Sequence, residues 1–99
     1  MFAKGDLRRF SRTYFVRQLK YYINSSDAEK QDFTPKTAVT VDVSEDGIGI
    51  FTLHPLDEGQ ILKFEKEINI HKVQARSAVV RWSRQVNDGR YRIGLQFNK

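Results

Sequence analysis

"VDVSEDGIGIF", residues 41–51, reads as a strand that runs to Val43, a sharp turn, and a second strand that begins at Ile48. Two extended segments joined by short polar residues and a glycine are hairpin chemistry. Upstream, "TAVTVDVS" lengthens the first strand. Side chains two apart share a face, which sets Val39, Val41 and Val43 on one side and Thr40, Asp42 and Ser44 on the other. Downstream, "GIGIFTL" prolongs the second strand, and Gly47 and Gly49 permit tight backbone geometry.

The same pattern repeats outward in both directions. "HPLDEGQ" is a turn broken by Pro55 and Gly59, and "ILKFEKEINI" alternates Leu62 and Phe64 with Lys63 and Glu65. A fifth strand runs from about Val73 to Gln85; its inward face stays open, because Val79 and Val80 are both apolar. Asn87-Asp88-Gly89 is a hairpin turn that pairs it with a sixth strand, Arg90 to Phe97. Before the opening hairpin, "TYFVRQLKYYI" (13–23) is rich in aromatic and β-branched residues and forms the first strand, with Phe15 or Val16 starting its alternating rows. Residues 24–36 are polar, carry Pro35, and form a loop. Six strands without a long helix indicate an all-β fold. A six-stranded antiparallel small barrel is expected over residues 13–99, and residues 1–12 are expected to be a flexible basic N-terminal segment of the same single domain.

Ninety-nine residues with 39% hydrophobic and 29% charged composition suit one folded domain. No apolar run approaches the roughly 20 residues that cross a bilayer, and the N-terminus lacks the apolar middle of a secretory signal, so a cytoplasmic location is expected. There is no cysteine, hence no disulfide framework or thiolate metal site. The net charge of +5 favours an anionic partner, and Arg8, Arg9 and Arg12 concentrate positive charge at the start of the chain. Catalysis is not expected. His54 and His71 stand in turns away from any nucleophile, no glycine-rich phosphate loop precedes a helix, and no metal or cofactor set is apparent.

Two polar constellations remain. Asp42 and Ser44 project together, and a carboxylate can accept both adjacent donors of a guanine edge, while Gly47 leaves room above the pair. The same three residues also suit a plain turn. Arg8-x-x-x-Arg12 supplies two guanidinium forks that can grip phosphate or stack on a base; a solvated basic terminus is the simpler reading.

Arg8-x-x-x-Arg12, followed by Asp42-x-Ser44-x-x-Gly47 and a closing "VVRWSRQVNDGRYRIGLQF", resembles the PilZ domain, the bacterial receptor module for cyclic di-GMP, over Leu7 to Phe97. The resemblance implies a six-stranded barrel of the split type on which the arginine segment wraps the ligand. By the same resemblance, Arg8 and Arg12 bind phosphate and guanine with Arg9 as an accessory, Asp42 and Ser44 bond guanine, and Gly47 keeps the floor open. Leu7 stands where many members carry a further arginine, which favours one bound ligand over a stacked pair. The expected role is a second-messenger receptor that relays binding to an effector protein of motility, biofilm or surface-structure machinery. A nucleotide-independent adaptor is one alternative. A single-stranded nucleic-acid binder using Tyr14, Tyr21, Tyr22, Phe64 and Trp82 is the other.

Overall fold

The computed structural model describes residues 13–14, 16–24, 34–70 and 73–98. They form β1 (Thr13–Tyr14), β2 (Gln18–Asn24), β3 (Lys36–Val43), β4 (Gly47–Thr52), β5 (Ile61–Ile70), β6 (Val73–Asn87) and β7 (Arg90–Asn98), with no helix among them. The strand order is β1-β3-β2-β5-β6-β7-β4, and pairing of β3 with β4 closes the ring. Every pairing is antiparallel. Six strands, β2 to β7, therefore make the expected small barrel, and closure leaves the ring itself without edges.

Alternation fills the interior. Ile48 and Ile50 from β4, Leu62 from β5, Val80 from β6 and Ile93 from β7 have no exposed surface. Each such aliphatic side chain contributes about 1.5–3 kcal/mol relative to an exposed position. Phe64 and Phe97 meet edge to face, with centroids 6.4 Å apart and planes at 76°. The choice between Val79 and Val80 falls to Val80, which is inside. The 87–90 connection is a tight turn in which Gly89 takes φ +74°, a conformation that side-chain-bearing residues rarely adopt.

Two details depart from simple alternation. The first strand is not continuous: β1 and β2 lie end to end along one edge of β3, and Val16 between them is 72% exposed. The valine face expected on β3 is also wrong at its start, because Val39 is outside and Thr40 is inside, 1% exposed. Thr40 is stabilised there by the gap between β1 and β2. Its hydroxyl accepts the Arg17 N–H at 2.8 Å and donates to the Arg17 carbonyl at 3.2 Å, while its own N–H donates to that carbonyl at 2.8 Å. A buried hydroxyl with partners is tolerated where an unpartnered one is costly.

Candidate functional site

The register of β3 against β4 jumps between Thr40 and Asp42, so Val41 is the extra residue of a β-bulge. Without it, Asp42 would follow Ala38 and Thr40 into the core. The bulge reverses the phase, sending Val43 inside and Asp42 outside, where the carboxylate sits with its side chain 16% exposed. Asp42 then heads a row running across four strands, because it pairs with Gly49, Gly49 with Gly94, and Gly94 with Trp82.

Both glycines in that row are covered by a neighbour's side chain. A Cβ on Gly49 would meet Asp42 Oδ1 at 2.6 Å, and one on Gly94 would lie 2.2 Å from Trp82 Nε1. The indole thus lies over Gly94 although Trp82 is 45% exposed, and the Arg84 guanidinium lies 5.7 Å from the ring centroid. Arg92 approaches Asp42 from the other side. Its Nη2 is 3.9 Å from Asp42 Oδ2, a loose ion pair rather than a hydrogen bond, and its guanidinium stands 5.2 Å over the Phe51 ring. Arg92 Nε is buried without a hydrogen-bond partner.

Between these groups lies a cavity of about 460 Å³, open on one side, whose walls include Asp42, Ser44, Gly47, Arg81, Trp82, Arg92 and Gln96. That volume lies within the usual range of small-ligand sites. Carboxylate, guanidinium groups and an indole face therefore share one shallow depression. The sequence argument nominated Asp42, Ser44 and Gly47, and all three line it.

Their roles are not uniform. Ser44 is 8% exposed and closes the turn: its N–H donates to the Gly47 carbonyl at 2.9 Å, and its hydroxyl makes longer contacts of 3.3 and 3.4 Å with the same residue's N–H and carbonyl. Gly47 is required by close packing, because a Cβ there would sit 2.1 Å from the Leu95 carbonyl oxygen of β7. Arg8, Arg9 and Arg12 lie outside the described residues, as does the expected N-terminal segment of which they are part. Thr13, the residue after Arg12, pairs with Val43, and Tyr14 with Asp42. Along β1, the direction that leads back towards Arg12 is thus the direction from Asp42 to Ser44.

A family model for the PilZ domain matches residues 6–99 of the chain. The chain belongs to the PilZ domain family. PilZ domains are binding and adaptor domains, and the Asp42-x-Ser44-x-x-Gly47 motif of this PilZ domain is the part that falls on the cavity. No curated protein matches the chain.

Arg81, Arg92 and Gly94 were not nominated from the sequence, and Trp82 was named only for stacking on bases in the nucleic-acid reading, yet these four make up a third of the residues lining the depression. Among the aromatics considered for stacking on bases, Tyr21 and Phe64 are in the core and Trp82 is exposed. A second cavity, about 490 Å³, opens between β2 and β5 beside Arg17, Lys20, Glu65 and Glu67, and it contains none of the nominated ligand residues. Among the described residues no group of three or more His, Cys, Asp or Glu side chains could hold a metal, and no helix is long and apolar enough to cross a membrane.

Proposed function

We propose that this PilZ domain is a cytoplasmic receptor for cyclic di-GMP that relays occupancy to an effector protein of motility, biofilm or surface-structure machinery. The observation that carries the reading is the pairing of Thr13 with Val43 and Tyr14 with Asp42, which tethers the chain immediately after Arg12 to the strand bearing the acceptor carboxylate.

In this reading Asp42 accepts the ring N–H and amino protons of one guanine, with the Arg92 guanidinium 3.9 Å away as a countercharge. Trp82, 45% exposed, offers its indole to a base once the Arg84 guanidinium over the ring swings aside, a contact worth about 1–3 kcal/mol. Arg8 and Arg12 close over the phosphates with Arg9 in support, each charge-assisted contact adding about 1.5–3 kcal/mol. Ser44 and Gly47 keep the turn and the β4–β7 contact in the shape that leaves the depression open. Micromolar affinity corresponds to about 8 kcal/mol net, so the contacts must exceed that figure by the cost of ordering the segment, about 1–2 kcal/mol per residue. Segment closure changes the surface offered to a partner, so binding acts as a population shift. With Leu7 in place of a further arginine, one ligand per chain is expected.

Isothermal titration with cyclic di-GMP, run beside GMP, cyclic GMP and a short oligonucleotide, tests the reading. Arg12→Ala and Asp42→Ala are expected to abolish cyclic di-GMP binding while circular dichroism stays unchanged. Parental binding by both variants would refute the assignment, and two ligands per chain would refute the stoichiometry.

A further inference from the structure

The barrel closes, but one of its strands outruns it. β5 pairs with β6 only as far as Val79, and the loop before β5 covers one residue more, with Gly59 N–H donating to the Val80 carbonyl and Val80 N–H to the Gln60 carbonyl, both at 2.8 Å. Beyond that point β6 continues from Arg81 to Asn87 with β7 on one side and no strand on the other among the described residues. All seven residues are exposed. Among the described residues the result is an open sheet edge about 23 Å long at roughly 3.3 Å per residue, the length of a typical strand.

Such an edge presents a row of unpaired backbone groups and is a template for another strand. Its chemistry selects which one. The β6–β7 hairpin from Arg81 to Arg92 carries four arginines, Arg81, Arg84, Arg90 and Arg92, against one acidic residue, Asp88. A second copy of the chain fits poorly: antiparallel self-pairing centred on this segment sets Arg84 opposite Arg84, and like charges directly opposed destabilise a strand pair. Acidic side chains at those cross-strand positions convert the same repulsion into attraction. Trp82 and Val86, 45% and 48% exposed, provide apolar anchors on the same stretch.

We propose that the β6 edge from Arg81 to Asn87 is a docking edge for an extended, acidic segment of a partner protein, which adds to the sheet as an extra strand. Main-chain bonds supply adhesion, and Arg81 and Arg84 supply the selection. Arg81 and Trp82 also line the cavity described above, so the edge and the depression share a strand segment.

The test uses amide hydrogen exchange on the whole domain without nucleotide, so its outcome is independent of the cyclic di-GMP titration. The probe is a capped eight-residue peptide alternating glutamate with threonine; its counterpart alternates lysine with threonine. The acidic peptide is expected to slow exchange within 81–87 by about tenfold or more, the lysine peptide to leave it unchanged, and Arg84→Glu to weaken acidic-peptide binding by about tenfold. Arg90→Glu makes the same charge change on β7, away from the edge, and is expected to weaken it several-fold less. The proposal is overturned by protection that falls elsewhere or nowhere, by equal effects of the two peptides, or by equal losses in the two variants. Protection of 81–87 that appears with rising protein concentration and no peptide would make the edge a self-association surface instead.

Discussion

Replacing Gly47 with alanine tests whether the motif glycine is demanded by packing against β7. The new methyl would sit 2.1 Å from the Leu95 carbonyl oxygen, where ordinary contact begins near 3.4 Å, so the two strands must part by about 1.3 Å. The obstacle is backbone on both sides and no side chain can swing away. A displacement of that size stretches the Phe97 N–H to Asp46 carbonyl bond, 2.9 Å long and running from β7 to the residue before β4, past hydrogen-bonding range. One lost backbone bond costs about 1 kcal/mol, and overpacking adds about 1–3 kcal/mol. The sum is about 2–4 kcal/mol, a large part of the roughly 5–15 kcal/mol that holds a domain folded. In a domain of this size each kcal/mol lowers Tm by about 4–8 °C, so a fall of at least about 8 °C is expected in calorimetry. Gly49→Ala is the internal control. Its methyl meets the Asp42 carboxylate at 2.6 Å, a side chain able to rotate, so the site should be disturbed while Tm falls far less. A Gly47→Ala domain melting within about 4 °C of the parent, or no more perturbed than Gly49→Ala, would refute the packing argument.

Three further outcomes are expected. Thr40→Val keeps shape but leaves the Arg17 N–H without its acceptor, and should lower stability by about 1–3 kcal/mol, seen as a lower urea midpoint at unchanged slope; an unchanged midpoint would show the hydroxyl to be dispensable. Burial raises the Tyr21 phenol above its ordinary value of 10.0, so the stability it adds is complete below that value and is lost as pH rises through the higher folded-state value. Tyr21→Phe should therefore flatten the decline of Tm in the alkaline range, and identical profiles would count against it. Gly94→Ala must lift the Trp82 indole off β7. Tryptophan emission should shift to the red with a stability change within about 1 kcal/mol, and an unshifted spectrum would mean that the ring does not rest on Gly94.

Strand number, antiparallel pairing and the place of the turns follow from local chemistry, because alternation, Pro55, Gly59 and the Asn87-Asp88-Gly89 turn act within a few residues and do not depend on distant partners. The same is true of Asp42, Ser44 and Gly47 as a motif. What local reasoning could not supply is the count of bulges. Counted from the Asn87–Arg90 pair along an unbroken ladder, Gly94 would stand opposite Ser83, but the register shift between Gln85 and Asn87 brings Trp82 there instead. A bulge changes which residue meets which without altering composition, so the Trp82 face, the Arg92 approach to Asp42 and the inward Thr40 emerge only when the strands are laid side by side. The amino-acid order by itself determined an all-β chain and its polar motif. The tertiary structure decided the phase of each strand, because one inserted residue turns every later side chain to the opposite face of the sheet.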